Sequence, residues 1–496
     1  MSMRPWANKN LKRALFLGVV IGLSSRASAQ TIIARLQVMP ESARVRIELI
    51  NAPPTRWSFR DTYASMVGLG KRIENFQGFD DTGRVINVRK LAPGQFESAL
   101  PVARVTYEVD LPPPVMPSDA AMVSWATKDR GLLRLGDLLP VTASEDRPVP
   151  ANIALEIPYP YAIFPLHYPD APRSFPTDDV ASTVFAFGKA LRAQRIEESG
   201  MTLDLLVDGE WAFTDMDVLD LARKILKAHR QIFGGTPAAL GRLILFPFPE
   251  NVAATQWAAE TRGSTVTLLM GISPSKVGAL AQLSAPLTHE LFHLWVPNGL
   301  TLKGDYDWFY EGFTMYESAR VAVALDLLTF QEFLNAIARA YDAYLSDAAR
   351  DRWSLVEASE RRWTGGSSSV YSKSMVIALL IDLKIRSESG NKKSLAGIYE
   401  KLLAKFPQTQ RATIPGTNGN DAVLALLKGD GPIADWVTAL ITKAIAIDLP
   451  KEIAAYGFSM ERSGSRTRLS VDERLTKRQR DLLRELGYNA AGHSVR

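Results

Sequence analysis

His289-Glu290-Leu291-Phe292-His293 holds two of the chain's five histidines, four positions apart, with a carboxylate directly after the first. On an α-helix, positions i and i+4 share one face, so both imidazoles can reach a single metal ion. Glu290 lies beside that face, where it can take a proton from a water that the ion activates. An open catalytic zinc takes three protein ligands and leaves one position for solvent. The chain contains no cysteine, so the third ligand must be a histidine or a carboxylate. Glu311, in Asp307-Trp308-Phe309-Tyr310-Glu311-Gly312-Phe313-Thr314, stands eighteen positions after His293. That gap fits the rest of a helix, a loop and a second helix facing back, so the metal set is His289, His293 and Glu311.

Two neutral imidazoles and one carboxylate leave a Zn²⁺ site near +1, which keeps an attached water acidic. Glu290 then serves as general base and returns the proton to the leaving amine. The negative oxygen of a tetrahedral intermediate needs a further donor. Tyr371 is suited to that task. It follows the flexible Gly365-Gly366-Ser367-Ser368-Ser369 stretch and opens the apolar run that contains Val376-Ile377-Ala378-Leu379-Leu380-Ile381. Lys373 reads as a salt-bridge partner, and Trp295 and Trp308 as packing around the metal helices. His167 and His229 have no ligand-like neighbours and read as surface or internally satisfied histidines.

These motifs together resemble the glycyl aminopeptidase family of zinc peptidases, a PDZ-associated group related to the larger aminopeptidase clan with a glutamate third ligand. The family's Glu-Gly-Phe-Thr block is matched by Glu311-Gly312-Phe313-Thr314. Its Tyr-x-Lys-Gly helix start is matched by Tyr371-Ser372-Lys373, with Ser374 in place of glycine. Its Gly-Leu-Glu-His edge strand corresponds to Ala258-Ala259-Glu260-Thr261. The resemblance covers about residues 30–450. It implies a thermolysin-like catalytic core, a Zn²⁺ cofactor, and a role for Glu260 in binding the α-amine of a peptide substrate. It also implies an aminopeptidase that removes small N-terminal residues. Three departures stand out. Ala258 and Thr261 replace a glycine and a histidine. The interval between His293 and Glu311 holds seventeen residues, one fewer than the large relatives usually show. No segment corresponds to the PDZ module. An endopeptidase built on the same zinc, and a non-catalytic peptide-binding protein on a peptidase scaffold, are the alternative readings.

The elements that must position these residues follow from hydrophobic periodicity. Residues 31–38, 43–49 and 102–109 alternate apolar and polar with period two, as half-buried strands do. Asp80-Asp81-Thr82-Gly83 and Ala92-Pro93-Gly94 read as turns. The segments 202–207, 241–246 and 264–270 read as further strands, with a helix near 218–226 between the first two. The metal helix comes next, with Pro297 as its stop. Pro286 lies either in its first turn or at a kink. Thr329-Phe330-Gln331-Glu332 is a capping box for a helix reaching Tyr344. The fold class expected is multidomain α+β: a β-sandwich-like domain over 30–165, a thermolysin-like catalytic domain over 166–345, an α-helical domain over 346–450, and a basic tail over 451–496 that carries an amphipathic helix near 475–486.

Residues 1–29 read as a secretory signal peptide. Arg4, Lys9, Lys12 and Arg13 precede a short apolar core, and Ala27-Ser28-Ala29 supplies small residues at a cleavage site. This segment holds five basic residues and no acid, so the remainder balances 53 basic against 53 acidic side chains. The pI of about 9.1 therefore mostly reflects the leader and does not argue for nucleic-acid binding, and no nucleic-acid partner is expected. No later stretch is long and apolar enough to span a membrane. Export together with an absence of cysteine suits a bacterial periplasm or secretion.

Overall fold

The computed structural model describes residues 31–50, 55–140, 148–164, 174–198, 200–408, 416–429 and 433–489. The proposed leader and His167 lie outside them. Strands Ile32–Met39, Arg44–Ile50 and Arg104–Asp110 form where period two was read. They are the centre of a seven-stranded sheet, in which Ile32–Met39 also pairs in parallel with Ala151–Glu156. Alternate residues such as Val45, Ile47 and Leu49 point inward and are buried. A four-stranded sheet containing Arg130–Arg134 and Val184–Gly188 packs on the same core through Leu133, Phe185 and Phe187. The two layers make the expected β-sandwich-like domain. Its strands continue past residue 165 to Gly188, because Ser174–Thr177 and Val184–Gly188 pair with its sheets. Phe175, Phe185 and Phe187 face the sandwich core, while Val184 and Ala186 face the next sheet, a pattern the proline-rich composition had obscured.

The region expected to be catalytic is built on a five-stranded sheet. Met201–Val207, Leu240–Pro247 and Thr265–Met270 run in parallel and are almost wholly buried. Helix Asp215–Phe233 makes the crossover between the first two, capped by Thr214 with Asp217 and closed by Gly234 at φ 68°. Trp257–Arg262 is the antiparallel edge strand. The helix carrying the histidines runs Lys276–Phe292 and buries Leu283, Leu287 and Leu291 against this sheet's core. Pro286 lies inside the helix, beyond its first turn. The helix ends at Phe292, before Pro297. His293 is its C-cap with φ −65° and ψ −14°, so its backbone stays helical and the i, i+4 relation to His289 holds.

The remainder is largely helical. Phe330–Ser346 starts at the Thr329–Glu332 capping box. Ser374–Ser389 buries Val376 to Ile381 completely or nearly so. The segment expected as a basic tail is folded. Phe458–Ser463 and Arg466–Val471 form a hairpin, the second strand packs on Phe330–Ser346, and helix Lys477–Glu485 buries Leu482 and Leu483. Its apolar residues are spaced too widely among the charges for a composition count to detect. Among the described residues no helix is long and apolar enough to cross a membrane.

Candidate active site

Three elements bring the expected ligands together. His289 lies in the last turn of its helix, and His293 lies one turn on at the cap. Glu311 comes from a widened, π-type turn over Trp308–Phe313, followed directly by helix Thr314–Ala324. The Nε2 atoms of the two histidines are 3.0 Å apart, and Glu311 Oε2 lies 3.4 Å from His289 Nε2 and 3.6 Å from His293 Nε2. A tetrahedral ion with bonds of ~2.0–2.1 Å needs its ligand atoms roughly 3.3 Å from one another. The triangle fits zinc on that measure, and the donor set of two imidazoles and a carboxylate suits it chemically. Glu290 joins the two histidines in one compact group of potential ligand atoms. His293 Nδ1 lies 2.9 Å from the Val296 carbonyl, which makes it the donor and fixes Nε2 as the free, metal-facing nitrogen.

Glu290 is buried, and its Oε2 accepts a 2.7 Å hydrogen bond from the Thr261 hydroxyl. The same Thr261 oxygen lies 3.0 Å from the Glu290 carbonyl, so its one proton is shared between the two acceptors and ties the edge strand to the base. Burial pushes the Glu290 carboxyl above the usual range, with His293, His289 and the Thr261 bond pulling the other way. Burial acts on Glu311 in the same sense, but Arg362 and His293 outweigh it and hold that carboxyl well below the usual range. For His293, burial disfavours the charged ring. Glu311 reverses this and carries its pKa up to about 9.

Tyr371 reaches the same place. It sits in a second π-type turn, Ser369–Lys373, packed against the one that carries Glu311. Gly312 makes that approach possible, since a Cβ there would lie 2.3 Å from Ser374 Cβ and 2.5 Å from the Val370 carbonyl oxygen. The Tyr371 hydroxyl is hydrogen-bonded to Arg362 Nη2, and burial keeps the phenol protonated far above neutral pH.

Sequence reading missed Arg362. Its Nη2 also lies 2.9 Å from Glu311 Oε1, and its Nη1 is 2.8 Å from Asp307 Oδ1. One guanidinium therefore ties the third ligand, the tyrosine and Asp307 into a single unit. Asp307 stands inside the motif around Glu311, four residues before it, but nothing in the sequence marks Arg362, fifty-one positions further on. Lys373 is buried and bonds Asp351 Oδ1 at 3.2 Å and the Ile445 carbonyl at 2.6 Å, as a local tie. Trp295 and Trp308 are buried packing. His229 departs from expectation. It is fully buried between Phe292 and Trp295, neither ring nitrogen has a protein partner, and burial takes its pKa down to about 3, so it is neutral.

Glu260 lies on the edge strand beside Thr261, as the resemblance implies, but its carboxylate is already engaged. Oε1 accepts the Tyr63 hydroxyl and Arg262 Nε (3.0 Å), and Oε2 lies 3.3 Å from Arg134 Nη2. An amine anchor needs a carboxylate with charge to spare, and here two guanidiniums already face it.

No family model matches the sequence, and no curated protein matches it. Solved structures do. An aminopeptidase N family protein from Idiomarina loihiensis superposes with a TM-score of 0.72 at 17% identity, over 87% of this chain and 79% of that one. The M1 zinc metallopeptidase from Deinococcus radiodurans gives a TM-score of 0.53 at 15% identity, over 85% and 95%. A glutamate-to-alanine variant of that enzyme, solved with a Tyr-Ser-Ala substrate, gives 0.52 at 13% identity over the same shares. The fold is thus that of M1-type zinc metallopeptidases.

Proposed function

We propose that this protein is a zinc metallopeptidase that hydrolyses peptide bonds and acts as an aminopeptidase. The observation that carries the reading is the triangle of His289, His293 and Glu311 donors, with Glu290 held beside it by Thr261. The shared fold, and the tripeptide seen in the Deinococcus enzyme, support a peptide as substrate. Zinc, held by His289, His293 and Glu311, would supply the Lewis acidity that activates water and polarises the scissile carbonyl.

The chain's own residues do the rest. Glu290 takes the proton of the attacking water and gives it to the departing amine, and its raised affinity for a proton suits both halves of that exchange. Thr261 fixes the carboxylate's direction. The Tyr371 phenol, a donor at any physiological pH, faces the negative oxygen that develops on the carbonyl carbon. Arg362 holds Tyr371 and Glu311 at a set separation. Preference for small N-terminal residues rests on the family resemblance alone. Export to a periplasm or medium rests on the composition of residues 1–29.

The endopeptidase reading has one observation in its favour, the prior engagement of Glu260 by Arg134 and Arg262. One experiment tests both. Metal content is measured on the purified protein, and free-amine dipeptides, N-acetylated dipeptides and a longer N-blocked peptide are assayed with and without chelator. Chelator-sensitive cleavage of free-amine dipeptides only is expected. Cleavage of the blocked longer peptide at comparable rate would replace the aminopeptidase reading with the endopeptidase one, and zinc-free protein of full activity would remove both.

A further inference from the structure

Among the described residues three aromatic side chains are exposed, Tyr159, Trp257 and Trp363. Trp257 stands four residues before Thr261, about 13 Å away along an extended strand. Trp363 is the one that touches the machinery around the proposed metal ligands. It follows Arg362 directly, in the short 3-10 turn Arg362–Thr364. That turn is held firmly. The Thr364 and Gly366 amides both donate to the Arg361 carbonyl, at 2.9 and 2.7 Å. Gly366 packs so closely on helix Leu355–Glu360 that a Cβ there would lie 2.2 Å from the Ala358 carbonyl oxygen. The exposure of Trp363 therefore belongs to a fixed turn.

The ring is close to the reacting centre. The Arg362 guanidinium carbon lies 4.4 Å from the Trp363 ring centre and 5.1 Å from that of Tyr371, so two rings cover one cation. The same guanidinium reaches Glu311 Oε1 at 2.9 Å through Nη2, which also bonds the Tyr371 hydroxyl. A C–N bond adds only about 1.3 Å, so the Trp363 ring centre lies within about 9 Å of Glu311 Oε1. Arg362 is mostly covered, with a side chain 13% exposed, whereas Trp363 is 51% exposed. Trp363 is thus the outer layer over the unit that joins Glu311 to Tyr371. A substrate can reach the ligands only through space open to solvent, and this ring borders that space.

We propose that Trp363 determines specificity: the N-terminal side chain of the substrate packs on its open ring, and bulky apolar or aromatic N-terminal residues are favoured over glycine and alanine. This rests on the aminopeptidase reading and departs from the small-residue preference that the family resemblance implies. Tyr371 faces the carbonyl oxygen of the N-terminal residue. That residue carries its side chain on the atom next to the carbonyl carbon, within reach of a ring that shares Arg362 with the tyrosine. Arg362 is already paired with Glu311 and Asp307, so the open area of Trp363 offers apolar contact and no free charge. An aromatic or leucine side chain gains by burial and ring contact there, and a methyl group gains little.

The test compares the zinc-loaded parent, Trp363→Ala and Trp363→Phe on the dipeptides Phe-Ala, Leu-Ala, Ala-Ala and Ala-Phe, with and without chelator. In the parent, kcat/KM for Phe-Ala and Leu-Ala is expected to exceed that for Ala-Ala about tenfold. Trp363→Ala is expected to bring the three within about twofold of one another, and Trp363→Phe to keep most of the difference. Ala-Phe is expected to follow Ala-Ala in every variant. A residue that merely shields Arg362 would lower all four substrates by one factor and leave their ratios unchanged, which overturns the proposal. A rise of Phe-Ala over Ala-Ala in Trp363→Ala would mean that the ring narrows the site, and also overturns it. A difference that follows Ala-Phe would place the contact after the scissile bond and overturn the assignment to the N-terminal residue. Chelator-sensitive hydrolysis with ratios indifferent to Trp363 removes this inference alone. A parent that cleaves no free-amine dipeptide removes the aminopeptidase reading and this inference with it.

Discussion

The metal-ligand cluster and the arginine cluster meet at one strand, yet they carry opposite excess charge. Around the proposed zinc ligands, the carboxylates of Glu290, Glu311 and Asp307 face the single guanidinium of Arg362 and two imidazoles. Around Glu260, guanidiniums outnumber carboxylates. Neighbouring residues of the strand face the two clusters, Thr261 towards Glu290 and Glu260 towards the arginines. The first cluster is complete when a cation enters, whereas the second sets the guanidiniums of Arg134, Arg262, Arg60 and Arg72 against Glu260, Asp137 and backbone carbonyls.

The sharpest way to break this comparison is at the base. Glu290→Gln keeps the size and the Thr261 contact but cannot accept a proton. Zinc content should stay at one equivalent per chain while kcat falls by roughly a hundredfold to ten-thousandfold. Wild-type turnover in a zinc-loaded variant would remove Glu290 from the mechanism.

The next largest effect is expected on the other side of the strand. Glu260→Ala leaves Arg134 and Arg262 facing each other without a carboxylate. Breaking a buried pair in this way costs about 3–5 kcal/mol, to be read from denaturant unfolding. A variant as stable as the parent would show that Glu260 does not offset the arginines.

The cation side is sharpened by pH. In the metal-free protein His293 holds its proton up to about pH 9, because Glu311 faces it. Zinc requires the neutral ring, so binding at neutral pH releases that proton. Apparent zinc affinity should therefore weaken about tenfold per unit as pH falls from about 9 towards 7. The metal-free fold carries the opposite linkage. Its pKa is raised, so the protonated His293–Glu311 pair contributes fully below the unfolded histidine value of about 6.5 and is lost as pH rises through about 9. Zinc titrations at pH 7, 8 and 9 with flat affinity would show that the pair does not hold a proton.

How much of this was legible in the sequence depended on how local each relation is. His289 and His293 lie within two turns of one helix, so spacing alone gave their convergence. Glu311 needed a second element, and its motif supplied enough to place it, although the widened turn that aims it was not visible. Period two revealed the sandwich strands. It failed at Ser174–Thr177 and Val184–Gly188, where a proline in one strand and a fully buried run in the other carry no alternation. Arg60, Arg72, Arg134 and Arg262 come from four separate segments joined only by tertiary packing. Each reads singly as a surface charge, so the cluster that engages Glu260 left no sequence signal. Arg362 was hidden for the same reason.

The smallest expected effect tests the seam between the two clusters. Thr261 stands where the resembling family has histidine, and its hydroxyl is the only protein hydrogen-bond donor recorded to the Glu290 carboxylate among the described residues. Thr261→Val preserves shape and removes that donor. The loss of one hydrogen bond is worth about 1 kcal/mol, or roughly fivefold in kcat. Direction gives a second readout. The Thr261 bond favours the ionised carboxylate, so its removal raises the Glu290 pKa further. The acid limb of the kcat–pH profile should then move to higher pH, with KM little changed. A loss of rate without that displacement would mean that Thr261 supports the strand and leaves the base untuned.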